Sequence, residues 1–280
     1  MIAVLGGLGA ALAFAVTTLC AARSAKLLGP WSVLAWVMIV SLLVAGPVAA
    51  FSGVPQGLDR RTLTWLVVSG CGNVAGLLVT YAALQTGKVG VIAPIVSTEG
   101  AIAAAISIAA GERVSGTSFA LLGVIAAGVV LAGLSRGSVG GSTGIRPVLL
   151  AVAGACSFGV SLYATARAGA VLPIFWAMLP ARLIGVAAVA LPLVAMSKLR
   201  LTRAALPFVV AGGLAEVAGL VAYIVASRHG LAVSAVLSSQ FGGIAAVIAY
   251  FLFRERLSRV QVGGIVLIVA GVAALSALQR

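Results

Sequence analysis

The sequence predicts an all-α membrane protein of ten transmembrane helices, arranged as two inverted five-helix repeats. Three observations predict it. Of 280 residues, 62 % are apolar and 8 % charged, whereas a soluble fold carries roughly a quarter charged residues to cover its surface. The apolar residues fall into runs of the ~20 residues that cross ~30 Å of hydrocarbon at 1.5 Å per residue. The runs also repeat between the two halves of the chain, at an offset near 143 residues.

Taken in order, the predicted spans are 2–22, 31–50, 62–85, 90–110, 116–135, 146–169, 173–196, 203–227, 231–252 and 259–278. The first run begins at Ile2 without a basic leader, so it reads as a span and not as a cleavable signal. The loop 51–61 holds Pro55, Asp59, Arg60 and Arg61. The stretch 136–145, RGSVGGSTGI, is the one Gly/Ser-rich linker, and it lies at the midpoint. The predicted organisation is therefore a first repeat over 1–138, a linker over 139–145 and a second repeat over 146–280. Pro47 and Pro192 read as kinks or helix ends, and Pro94 interrupts the amide ladder early in the fourth span. The many Gly and Ala residues let helix backbones approach closely in lipid.

The repeat is visible without gaps when residues 73–115 are set against 216–258: Gly76 meets Gly219, Gly100 meets Gly243, and Glu112-Arg113 with Ser115 meets Glu255-Arg256 with Ser258. An offset of 144 pairs Phe14 with Phe158 and Arg23 with Arg167. Five crossings per unit start the second copy on the opposite side of the bilayer, so the halves are inverted. That construction recurs in alternating-access carriers, with the site near midplane between the repeats.

The net charge of +13 comes from 18 Lys and Arg against five acids. The cations sit at the ends of apolar runs, where they reach headgroups, and no clustered basic face exists to track nucleic acid. Cys20, Cys71 and Cys156 lie inside apolar runs as packing residues. His229, the one histidine, stands in a loop without partners. No metal-ligand cluster, phosphate-cradling loop or nucleophile elbow is legible, so the sequence implies neither a cofactor nor an enzyme.

Ionisable groups inside a span cost ~2.5–3.5 kcal/mol each on insertion scales and must face a cavity or a partner. Glu99 and Glu216 fall near the middle of the fourth and eighth spans. A carboxyl in a low-dielectric cavity can exchange a proton near neutral pH, so either is a candidate for proton coupling; the alternative is a carboxyl that only ties helices together. Asn73 aligns with Glu216, and Ser97 with Gln240, which predicts a substrate and proton site formed by Asn73, Ser97, Glu99, Glu216 and Gln240. Tyr81, Tyr223 and Trp176 are candidate aromatic walls, though each also suits an interfacial anchor. Arg182, some ten residues into the seventh span, reads as a structural pairing residue.

The sequence resembles the EamA-type members of the drug/metabolite transporter superfamily. The resemblance is carried by Gly111-Glu112-Arg113 after the fourth span, Arg254-Glu255-Arg256-Leu257-Ser258 after the ninth, and the glycine-spaced runs 263–272 and 123–133. It implies the inverted five-plus-five fold, a cavity among spans three, four, eight and nine, and multi-pass residence in the cell (inner) membrane. It further implies transport of small metabolites, often export of amino acids or similar compounds. With Glu99 and Glu216 as candidate proton groups, proton-coupled export of an amino acid-like or amine/drug-like solute by an antiporter is the leading form. An uncoupled facilitator or exchanger is the alternative, and a non-transporting scaffold a more distant one. Partners would be the small-molecule substrate, protons and the lipid bilayer, with no nucleic acid and no required oligomer. The resemblance also implies structural roles for Glu112, Arg113, Glu255 and Arg256. Family members carry an Arg in the second span as well as the seventh; here the second-span position falls near Trp36 to Met38. With both termini in the cytoplasm, as the family implies, eleven Lys and Arg fall in outward loops and six in inward ones. The positive-inside rule favours the opposite orientation, so the sidedness stays open.

Overall fold

The computed structural model describes residues 1–56, 58–113, 115–133, 145–252 and 259–278, and within them the chain is helical between short turns. Helix α1 (Ile2–Leu28) passes into α2 (Pro30–Phe51) through Gly29 alone. Gly29 has φ 81°, a left-handed setting that costs glycine nothing, and Pro30 then supplies the fixed φ of a first helical residue. Helix α3 (Arg60–Thr86) is capped by Asp59, whose carboxylate accepts the Thr62 N–H at 2.8 Å.

The predicted fourth span is two helices, α4 (Val89–Val96) and α5 (Glu99–Ala109). Pro94 removes one rung of the ladder, and the hydroxyls of Ser97 and Thr98 donate to the carbonyls of Pro94 and Ile95, both at 2.8 Å. Side chains that claim nearby carbonyls compete with helical continuation. Helices α6 (Gly116–Gly133) and α7 (Ile145–Gly169) follow. The predicted seventh span is α8 (Ile174–Gly185), a π turn (Val186–Ala190) and α9 (Leu191–Ala195). The wide turn directly precedes Pro192, which lacks a donor; π turns and proline are both recognised causes of helix irregularity. Helix α10 (Leu206–Ser227) precedes a second broken span, α11 (Leu231–Ser238) and α12 (Phe241–Leu252), and α13 (Arg259–Leu278) closes the described chain. This second break contains no proline. Its hydroxyls and amide do the same work: Ser238 and Ser239 donate to Ala235 and Val236 carbonyls, and Gln240 Nε2 donates to Val236 O at 2.8 Å.

Among the described residues, eight helical stretches are long and apolar enough to cross a membrane: Ile2–Leu28, Pro30–Phe51, Arg60–Thr86, Val89–Ala109, Ile145–Gly169, Ile174–Ala195, Leu206–Ser227 and Leu231–Ala249. Helices α6 and α13, at the fifth and tenth predicted spans, are 18 and 20 residues long and pack on each other. The predicted linker 139–145, apart from Ile145 at the start of α7, and the loop bearing Glu255 and Arg256 lie outside the described residues.

The interior comes from crosswise pairing. Helix α3 packs along α7 and α10 along α1; α5 meets α11, α12 meets α4, and α2 lies against α8 and α10. Close approach depends on glycine. A Cβ on Gly76 would fall 2.6 Å from the Phe158 ring, and one on Gly219 would fall 2.5 Å from the Phe14 ring. At the two helix breaks, a Cβ on Gly100 would strike the Ala235 carbonyl and Ser239, and one on Gly242 would strike Ser97. The broken spans therefore cross each other at their breaks. Long apolar side chains such as Leu5, Leu43, Leu63, Val67, Leu149 and Leu214 stay exposed, as a lipid-facing surface requires.

Candidate functional site

The crosswise pairing leaves a cavity between α1, α3, α4, α5, α7, α10 and α12. Helix α3 supplies a single stripe to it: Asn73, Leu77, Thr80, Tyr81 and Leu84. These positions recur at helical spacing on one face. Helix α1 adds Phe14, Thr17 and Thr18; α7 adds Phe158, Ser161 and Leu162; α10 adds Glu216 and Leu220. Val96, Glu99 and Phe241 come from the ends that face each other at the two breaks.

The polar groups of the lining differ in how they are occupied. Glu216, 3 % exposed, accepts from Asn73 Nδ2 at 3.3 Å on Oε1. The same oxygen lies 3.6 Å from Arg182 Nη2. Arg182 Nη1 donates to Asn73 Oδ1 at 3.2 Å, which closes a triangle of Arg182, Asn73 and Glu216. Arg182 is fully buried behind the other two and does not line the cavity. This satisfies the expectation that a cation at this depth needs a partner. Glu99, 4 % exposed, faces the cavity at the first turn of α5. Among the described residues it has neither an ion pair nor a side-chain hydrogen bond.

The hydroxyls divide in the same way. Thr17, Thr18 and Ser161 donate to the carbonyls of Gly212, Phe14 and Ser69. Thr80 Oγ1 and Tyr81 OH are buried in the lining with no hydrogen-bond partner among the described residues.

Of the site expected from sequence, the cavity brings together Asn73, Tyr81, Glu99 and Glu216. Ser97, Tyr223, Trp176 and Gln240 lie outside its lining, each for a visible reason. Ser97 Oγ and Gln240 Nε2 turn back onto carbonyls of their own helices, Pro94 and Val236. Tyr223 OH donates to Leu162 O at 3.0 Å in the packed interior. Trp176 Nε1 donates to Ala49 O and Ser52 Oγ, both at 3.1 Å, at the end of α2. Glu112 does not pair with Arg113: it accepts from Ser107 Oγ and from the Ala232 N–H, at 3.1 Å on Oε2. It thereby ties the end of α5 to the first turn of α11, where a carboxylate meets unsatisfied amides. Arg113 is exposed. The lining residues that sequence reasoning did not single out include the polar and aromatic Phe14, Thr17, Thr18, Thr80, Phe158, Ser161 and Phe241. The offset that pairs Phe14 with Phe158 was their one sequence signal.

A solved crystal structure of a protein at 21 % identity matches 99 % of this chain and 96 % of its own length with a TM-score of 0.72, which shows the fold. No curated protein matches the chain. The family model described as EamA-like transporter family matches residues 1–134, the half that contributes Phe14, Asn73, Tyr81 and Glu99 to the cavity. Together with the apolar helices this makes the chain a multi-pass membrane protein whose residues 1–134 are similar to the EamA-like transporter family.

Proposed function

We propose that the chain is a secondary carrier of the inner membrane that moves a small metabolite by alternating access, with Glu99 as the proton-exchanging group of an exporter. The observation that carries this reading is the contrast inside one cavity: Glu216 is held by Arg182 and Asn73, whereas Glu99 faces the cavity without a partner among the described residues. An intramembrane carboxyl with no structural bond to make is a functional candidate by default.

Alternating access needs two packings of similar energy, and inverted repeats over 1–138 and 146–280, ten spans in all, would supply them. Symmetric contacts support that arrangement. A two-fold axis turns a contact between residue i and the partner of j into one between j and the partner of i. Gly76 with Phe158 and Gly219 with Phe14 form such a pair, as do Gly100 with Ser239 and Gly242 with Ser97. Asn73 and Glu216, 143 residues apart, bond directly to each other, as equivalent positions do only beside an axis.

The charged and titratable groups around Glu99 are few. Glu216 of α10 shares the cavity, with Arg182 of α8 behind it; Tyr81 of α3 shares the lining, and Tyr223 of α10 is packed nearby. Helix α11, packed against α5, carries no titratable residue.

The test is flux in proteoliposomes loaded with a pH-reporting dye and challenged with a panel of amino acids, amines and amphipathic drugs. A transported solute should move protons with the wild-type protein and move none with Glu99→Gln, while solute counterflow survives. Proton movement that persists in Glu99→Gln would remove the coupling role. Counterflow without any pH response in the wild type would instead identify an uncoupled exchanger.

A further inference from the structure

We propose that the cavity takes a lipophilic monoamine in its cationic form, an ammonium group on an aromatic or branched apolar body, and not a zwitterionic amino acid. The inference deepens the carrier reading and rests on it for the claim that the cavity is a substrate site.

The first argument is charge. Among the described residues two acids face the cavity, and the cation beside them, Arg182, sits behind the lining, bonded to Asn73 through Nη1 and 3.6 Å from Glu216, with its Nε and Nη2 lacking a hydrogen-bond partner. One uncompensated carboxylate, Glu99, remains when ionised. Among the described residues the lining holds no Lys, Arg or His. A substrate carboxylate would therefore meet no cation in the lining, and an unpaired charge is costly to hold in low dielectric. A substrate ammonium finds Glu99 at once and leaves the cavity neutral.

The second argument is the walls. Phe14, Phe158, Phe241 and Tyr81 come from four different helices, α1, α7, α12 and α3. Phe14 and Phe241 meet edge to face, with centroids 6.3 Å apart. Aromatic faces attract cations and also accept apolar bodies. The remaining large side chains of the lining are Leu and Val. The third argument is the orphaned hydroxyls. Thr80 Oγ1 and Tyr81 OH have no partner among the described residues although both are buried in the lining. Native proteins leave few such groups unsatisfied, and both oxygens can accept from the N–H groups that a primary or secondary amine has to spare.

The experiment is equilibrium binding to purified full-length protein in nanodiscs, by calorimetry and thermal shift. The ligands share one phenyl-ethyl body and differ in charge: phenethylamine, phenylalanine, hydrocinnamate and phenethyl alcohol. Phenethylamine should bind best, by at least about tenfold over each of the others, the factor that ~1.4 kcal/mol produces. Glu99→Gln should weaken phenethylamine by a similar factor and leave phenethyl alcohol unchanged. Phe158→Leu should weaken the amine several-fold through the lost aromatic face. The charge series on the wild-type protein decides the matter even where a variant does not fold. Equal or tighter binding of phenylalanine or hydrocinnamate, no binding of any of the four, or amine binding unaltered by Glu99→Gln, overturns the proposal. The two readings fail separately. Proton-coupled flux of some other solute through Glu99 would leave the carrier standing and remove the monoamine. Glu99-dependent amine binding without any flux would do the reverse.

Discussion

Glu216 and Glu99 are the same residue type, buried to 3 % and 4 % exposure around one cavity, and they are employed in opposite ways. Glu216 closes a triangle with Asn73 and Arg182, with contacts of 3.3, 3.2 and 3.6 Å. Each member there answers for another: the guanidinium offsets the carboxylate, and the amide bridges both. Glu99 has no such partner among the described residues. The difference shows that depth in the membrane does not decide what an acid does; its partners decide. The paired acid links α3, α8 and α10, and the acid without a partner among the described residues is the one proposed to meet proton and solute.

The sharpest way to break the comparison is to remove the cation. Arg182→Ala leaves Glu216 buried without its counter-charge, and breaking such a pair costs about 3–5 kcal/mol. The unfolding midpoint in detergent should drop steeply, and adding Glu216→Gln to the same protein should restore much of the loss. A single variant as stable as the parent would mean that the triangle holds nothing together. The next effect tests the ground beside Glu99. Gly100→Ala pushes a methyl into the Ala235 carbonyl and Ser239 where the two broken spans cross, and overpacking of that kind costs about 1–3 kcal/mol. Gly116→Ala meets open space and should change stability by no more than about 1 kcal/mol, in the favourable direction if α6 gains helix propensity. Equal behaviour of the two glycines in the same melt would show that the crossing is not tight.

How far this contrast could be read from sequence follows from physics. The spans were legible because lipid demands ~20 apolar residues in a row. Charged and amide side chains in a chain that is 62 % apolar stand out, so Asn73, Glu99, Glu216 and Arg182 could be named before any geometry was known. What apolar runs conceal is local: the breaks after Val96 and Ser238 sit inside continuous hydrophobic stretches, and only Pro94 gave notice of one of them. Rotamers are concealed as well. Gln240 has the right depth, but its amide turns back to Val236 O. Of the aromatic walls Tyr81 was legible, but the three Phe were hidden for the opposite reason, since a Phe attracts no attention among Leu and Val. In the register of the broken spans, an offset of 142 residues carries Val89–Val96 onto Leu231–Ser238 and sets Glu99 against Phe241. The position that is an acid in one half is an aromatic wall in the other, an asymmetry that an ungapped comparison at 143 does not display.

Smaller effects sharpen the comparison further. Glu99→Gln removes a charge that bonds to nothing, so its thermal stability should stay within about 1 kcal/mol of the parent or rise, as for most substitutions that break no named interaction. Glu216→Gln, which strands Arg182, should be clearly worse in the same assay. A Glu99 variant as unstable as the Glu216 variant would mean that Glu99 has a structural partner after all.

The smallest effect uses an acid outside the bilayer as the reference for both. Asp59 is exposed, and its hydrogen bonds with Thr62, with a smaller contribution from Arg61, hold its carboxyl below the usual carboxylate range. A depressed folded-state value means that the cap contributes fully above the unfolded-chain value of about 3.9 and is lost as the pH falls through the folded value. Asp59→Ala should therefore lower the denaturant midpoint slightly at neutral pH, and the gap between parent and variant should narrow only in strong acid. Salt should shrink the part due to Arg61, because exposed charges are screened. A gap that closed at neutral pH would belong to a buried, exchanging carboxyl and not to a helix cap, and it would blur the distinction drawn between the acid held in place at Glu216 and the acid left free at Glu99.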